Sequence, residues 1–189
     1  PKTSTAIKSV RAHRAAHGSN LFGDLLAGEL ADGSRIVTQN EHWVAFVPFA
    51  ARWPVEVHLY PRHQVRDLVA LDDAERAALA ELYLDVIRRM EGIFDDTLPA
   101  ISGVHQAPVH ADADDYWLHL EVFSIRRAVG KLKFLAGSES AMGAFVNDIT
   151  PETAAARLRE VDTARLPEVD TARPREVDTG RLPEVDTAR

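Results

Sequence analysis

Between residues 116 and 139 the chain passes from strict alternation to a run of basic side chains. Leu118, Leu120 and Val122 alternate with Trp117, His119, Glu121 and Phe123, so the two sets point to opposite faces of a strand over 116–125. One face is apolar. The other carries an imidazole and a carboxylate side by side. The longest helical pattern covers 72–94, where Leu79, Leu82, Tyr83, Val86, Ile87, Met90 and Phe94 recur at helical spacing and call for a sheet to cover. Asp72, with Glu75 three residues on, supplies carboxylates for the free amides at its start.

A shorter amphipathic helix is expected from Asn20, with Leu21, Leu25, Leu26 and Leu30 on one side and a stop at Asp32-Gly33. Segments 35–38 and 43–48, joined around Gln39-Asn40-Glu41, read as a hairpin. A third strand over 55–60 is bracketed by Pro54 and Pro61, and a fourth lies near 101–105. Pro151 opens a last short helix through 154–158. Residues 1–20 are basic, with His13 and His17 four apart, and read as a solvated connector, a short helix with both histidines on one exposed side being the alternative. Strands outnumber helices and mostly follow one another directly. The fold class is therefore α+β, a mostly antiparallel sheet backed by helices.

From Glu160 the unit Glu-Val-Asp-Thr-Ala-Arg-Leu-Pro begins, and it restarts at Glu168, Glu176 and Glu184. Eight residues hold too little apolar surface to bury, and Pro167, Pro174 and Pro183 stop a continuous helix. The expected division is one domain over 1–159 and a disordered repeat tail over 160–189. A length of 189 residues suits one domain with a sizeable core. A net charge of −7 argues against a nucleic-acid binder. Without an apolar run of about 20 residues or a signal-peptide core, no membrane association is expected and the compartment reads as cytoplasmic. Zero cysteines exclude disulfides and thiolate metal sites within the chain. The opening Pro1-Lys2-Thr3, without a methionine, reads as a fragment or a processed product.

Chemistry concentrates in few places. If the strands near 105 and 119 are neighbours, His105, His119 and Glu121 converge as two nitrogens and an oxygen, a set that suits zinc or ferrous iron. The same residues would also serve as a hydrogen-bonded His–Glu pair on a sheet face. His110 is a spare. Glu56 and His58 share a strand face and His63 follows closely, but with no third partner in view these read as surface residues. Arg126, Arg127, Lys131 and Lys133 offer charge-assisted hydrogen bonds to a phosphate, with Gly130 and Gly137 permitting close approach; a solvated turn is the alternative. Asp112, Asp114 and Asp115 read as a solvated loop, since the twelve-residue calcium-loop pattern is absent. No nucleophile elbow, phosphate-cradling Gly loop or dinucleotide fingerprint occurs.

Several blocks are more specific. The run Glu41-His-Trp-Val-Ala-Phe-Val-Pro-Phe-Ala-Ala-Arg-Trp-Pro-Val-Glu-Val-His-Leu-Tyr-Pro resembles the C-terminal half of galactose-1-phosphate uridylyltransferase, in the histidine-triad superfamily. So do Gly103-Val-His-Gln-Ala-Pro, Trp117-Leu-His-Leu-Glu, and the stretch from Lys131 to Asp148. The resemblance runs in order over about 1–160 and excludes the tail.

It implies a histidine-triad-like half-barrel, of which this chain is the second of two repeats, and pairing as dimers. The implied reaction moves a uridylyl group between UDP-sugar and hexose-1-phosphate through a histidine in a His-Pro-His-Gly-Gln motif of the first repeat. That motif, and with it the main zinc site, is absent here, so a separate N-terminal half chain is the implied partner. His105 and His119 match ligands of the family's second, structural metal site, and Glu121 stands where some members have a further histidine. The family's glutamate ligand has no counterpart among residues 3–8. Lys133, Phe134, Ala136, Gly137, Ser138 and Glu139 match the strand and loop that contact the nucleotide sugar, with Ser138 replacing a tyrosine of some members; Asn147 is a further sugar contact. The alternative is a non-catalytic orphan half that binds nucleotide weakly or dimerises.

Overall fold

The computed structural model describes residues 2–94, 98–109 and 114–165. Helices α1 (Lys2–His17) and α2 (Leu21–Asp32) lead into strands β1 (Ile36–Gln39), β2 (Trp43–Phe46) and β3 (Val55–Pro61). Helix α3 (Asp73–Gly92) precedes β4 (Ala100–His105) and β5 (His119–Ser124). A small hairpin, β6 (Arg126–Ala128) and β7 (Lys131–Leu132), is followed by α4 (Gly137–Met142) and α5 (Pro151–Glu160). The main sheet has the order β1-β2-β3-β5-β4 and its pairings are antiparallel, so β5 lies between β3 and β4. This is the α+β arrangement expected.

The local chemistry of the element ends explains the boundaries. Asp72 accepts from the Glu75 amide and Glu75 returns a bond to the Asp72 amide, a reciprocal cap at the start of α3. The Asn20 side chain accepts from the amides of Phe22 and Gly23, while Gly33 at φ 71° closes α2 in a left-handed turn that disfavours a Cβ.

Each sheet face has its own cover. On one, Val57, Leu59, Leu118, Leu120 and Val122 pack with Leu82, Val86 and Met90 of α3 and Leu158 of α5. The Trp43 indole donates to the Glu75 carbonyl at 2.9 Å and pins β2 to the start of α3. On the other face, Val44, Phe46, Tyr60 and Trp117 pack with Phe22 and Leu26 of α2 and Val10 of α1.

Helix α1 departs from the connector expected of residues 1–20. Ala6, Ile7 and Val10 form a narrow apolar stripe within a basic exterior, and the second sheet face requires a cover. The five predicted strands and the three predicted helices lie within a few residues of their expected positions, while the β6–β7 hairpin and α4 had no predicted bounds. His110 and Asp112, and the tail from 166 onward for which disorder is expected, lie outside the described residues. Within the first copy of the repeat, Val161 seats against the end of α3. Among the described residues no helix is long and apolar enough to cross a membrane.

The Val161 contact is close enough to test. A Cβ on Gly92 would stand 2.4 Å from Val161 Cγ1. Overpacking of this kind costs about 1–3 kcal/mol, against a helix-propensity gain of at most about 1 kcal/mol. Gly92→Ala is expected to lower the unfolding free energy in urea titrations, and to raise it when combined with Val161→Ala.

Candidate metal centre and substrate-contact arm

Cross-strand register assembles the first candidate site. His105 lies opposite His119, and Gly103 opposite Glu121, where β4 meets β5. Residues 119 and 121 share a face by the period of two. The three predicted ligands therefore converge. His105 Nε2 is 3.3 Å from Glu121 Oε2, and His119 Nε2 is 4.0 Å from Glu121 Oε1. The two imidazoles stack with centroids 4.8 Å apart, and one donor atom from each residue falls within 4.8 Å of the others.

The protonation pattern suits a cation. His119 Nδ1 lies 2.9 Å from the Trp117 carbonyl, which can only accept, so Nδ1 carries the hydrogen and the Nε2 lone pair faces Glu121. Burial against Phe22 and Tyr60, with ring centroids 5.3 and 4.9 Å away, pushes the His119 pKa down to about 4. His119 is therefore a neutral donor at neutral pH. Burial, reinforced by the charge of Glu121, raises the Tyr60 phenol and keeps it protonated. Two imidazole nitrogens and a carboxylate oxygen form a set that could hold a metal ion.

Two residues expected at the surface belong to this neighbourhood instead. Glu56 is 6% exposed, and its Oε2 accepts the amides of Arg52 and Trp53 at 2.7 and 3.0 Å. His58 Nε2 lies 2.9 Å from Glu56 Oε1 and 3.9 Å from Glu121 Oε1. Burial works to raise the Glu56 pKa, but the His58 hydrogen bond and charge, with the two amides, outweigh it and hold the carboxyl below its usual range. The reason both residues were missed is positional. β3 is the middle strand of five and its His58 sits directly across from Glu121, a neighbour 63 residues away in sequence. His63 is exposed as expected, beside Glu75 at 3.2 Å.

The second predicted site forms a self-contained arm. Lys133 Nζ approaches Glu139 Oε1 at 2.8 Å, the Arg52 carbonyl at 2.8 Å and the Val146 carbonyl at 2.7 Å, so all three ammonium hydrogens are used. The Trp53 and Phe145 rings flank it, with centroids at 5.7 and 5.9 Å. Glu139, 5% exposed, also accepts the amides of Ala136 and Val146. The Lys133 bond, then those two amides, push its pKa down to about 2. Phe134 is 87% exposed, and Ala136 and Gly137 are open to solvent at the start of α4. Ser138 is half-buried, and Asn147 donates to the Trp53 carbonyl at 3.1 Å. The basic cluster disperses: Arg127 pairs with Asp148 at 2.6 Å, while Lys131 stays exposed.

The sequence profile of galactose-1-phosphate uridyl transferase, C-terminal domain, matches residues 6–171. The chain belongs to the galactose-1-phosphate uridylyltransferase family. It is 41% identical to the galactose-1-phosphate uridylyltransferase of Streptomyces lividans over 172 residues, covering 85% of this chain and 48% of that protein. The Neurospora crassa relative is 39% identical over 78% of this chain and 38% of its own length. The chain thus spans at most about half the length of these relatives. A solved uridylyltransferase shares the fold at a TM-score of 0.81 and 35% identity, over 88% of this chain and 52% of that one. An ADP-glucose phosphorylase from Arabidopsis thaliana, 21% identical with a TM-score of 0.72 over 85% of this chain and 49% of its own, shares the fold alone.

The depressed Glu139 pKa has a signed consequence. A carboxyl at about 2 in the folded chain, against 4.5 unperturbed, adds stability that is complete above pH 4.5 and lost as pH falls toward 2. The melting-temperature gap between the parent chain and Glu139→Gln is expected to be constant from pH 7 to 5.5 and to narrow below pH 4.5. A gap unchanged down to pH 3 would contradict the assignment.

Proposed function

We propose that this chain acts as the C-terminal half of a UDP-glucose–hexose-1-phosphate uridylyltransferase. It supplies nucleotide-sugar contacts, and the nucleophilic histidine comes from an N-terminal half outside these 189 residues. The observation that carries the reading is the family match over 6–171, a stretch that contains no His-Pro-His.

In this reading each residue has a physical task. Lys133 neutralises phosphate charge, exchanging the Glu139 or Val146 oxygen for a phosphate oxygen. Glu139, released from Lys133, accepts hydrogen bonds from sugar hydroxyls. The exposed Phe134 ring and the open backbone of Ala136, Gly137 and Ser138 border the ligand, and Asn147 steadies the arm through Trp53. His105, His119 and Glu121 would hold zinc or iron(II), which when bound supplies a cross-link between β4 and β5 rather than reaction chemistry.

A non-catalytic role, as a weak nucleotide-binding or dimerising module, has its own support. Lys133 and Glu139 satisfy each other without substrate. β4 is a sheet edge that carries Ile101 and Val104 at 51% and 47% exposure, a surface suited to pairing with another chain.

The test is uridylyl exchange from labelled UDP-glucose. The chain alone is expected to form no covalent uridylyl adduct, and addition of a family N-terminal half carrying His-Pro-His-Gly-Gln to place the label on that half. Lys133→Met in the mixture is expected to lower kcat/KM about 10–100-fold, the loss of one hydrogen bond to a charged group. An adduct on this chain by itself, or a mixture with no exchange, would refute the enzymatic reading.

A further inference from the structure

The metal reading leaves a coordination shell to complete. Structural zinc sites are almost always four-coordinate, and His105, His119 and Glu121 supply three ligands. The glutamate that the family resemblance implies has no counterpart among residues 3–8. Helix α1 contains neither Asp nor Glu, and it turns Ala6, Ile7 and Val10 toward this side of the sheet.

Resting on that reading, we propose that His58, from β3, is the fourth ligand, so that the site is closed by this chain's own residues as three histidines and one glutamate. The sheet carries the inference. His58 is the direct cross-strand partner of Glu121 on one side of β5, as Gly103 is on the other. Alternation puts His58, Glu121, His119 and His105 on one face of three adjacent strands. Gly103 brings no side chain to that face, and a Cβ there would approach His105 Nε2 at 3.6 Å.

His105, His119 and Glu121 already bring their donor atoms within 4.8 Å of one another, and His58, outside that set, stands beside Glu121. Two ligand atoms on a tetrahedral cation with bonds of about 2.0–2.1 Å stand about 3.3 Å apart. His105 Nε2 meets that spacing at 3.3 Å from Glu121 Oε2, while His119 and His58 Nε2 stand 4.0 and 3.9 Å from Glu121 Oε1 and would close inward on an ion. The His58 side chain is 14% exposed, as dry as a ligand to a structural ion should be. Its Nε2 now donates to Glu56 Oε1, and coordination requires that hydrogen to move to Nδ1 or to solvent. Glu56 tolerates the exchange because two backbone amides still bind its other oxygen.

Affinity alone does not separate a ligand from a supporting neighbour, since loss of either weakens binding about 10–100-fold. The imidazole count does. In the full chain, stripped with chelator and reloaded, X-ray absorption of the zinc form is expected to report three imidazoles, falling to two in His58→Leu. The visible bands of the cobalt(II) form are expected to shift with that substitution. Titration of ¹⁵N-histidine-labelled parent chain with zinc needs no variant, and three Nε2 resonances are expected to move together. Two imidazoles in the parent chain, or a cobalt spectrum indifferent to His58→Leu, would overturn the assignment and leave the three-residue site standing. No uptake of either ion would overturn both.

Discussion

The pairing of β5 with β3 on one side and β4 on the other is the constraint on which the rest depends. Leu118, Leu120 and Val122 go into the larger core, and burying side chains of this size contributes about 1.5–3 kcal/mol each. A one-residue slip would expose them and drive His119 and Glu121 into an apolar layer, where unpaired polar groups are costly. Core packing thus holds the register, and the same register brings His105, His119 and Glu121 together and sets His58 across from Glu121. The site needs no separate scaffold.

Burial of polar groups on the second face works because each is answered. His119 hands its Nδ1 hydrogen to Trp117, and Glu56 receives two amides and His58. Trp117 in turn donates to the Pro61 carbonyl at 3.1 Å, so the end of β3 and the approach to β5 are joined by more than the ladder. Such a network favours a single arrangement, because any member turned away leaves a buried group unsatisfied. The Lys133–Glu139 arm follows the same logic outside the main sheet, where the two charges are paired with each other and with backbone groups.

The two sheet edges have different fates. β1 is tied down by α2 and α5, through Arg35 just before it to Glu29 and Glu152 and through Arg159 to the Ile36 carbonyl. β4 has β5 on one side and, among the described residues, no strand on the other.

What the sequence determined by itself was whatever is written in local periodicity or in contiguous blocks. The strand alternation around His119, the capped helix after Asp72, the family and the trio His105, His119 and Glu121 were all legible in this way. Helix α1 was not, because its apolar stripe of Ala6, Ile7 and Val10 is too narrow to stand out from a basic surface until the sheet face it covers is known. Glu56 and His58 looked like surface residues for the same kind of reason, and Lys133 and Glu139 gave no sign of being each other's partner. Only the tertiary structure decided these, since which strand lies beside which is set by the packing of the whole sheet. A residue's chemistry depends on neighbours that no spacing along the chain records.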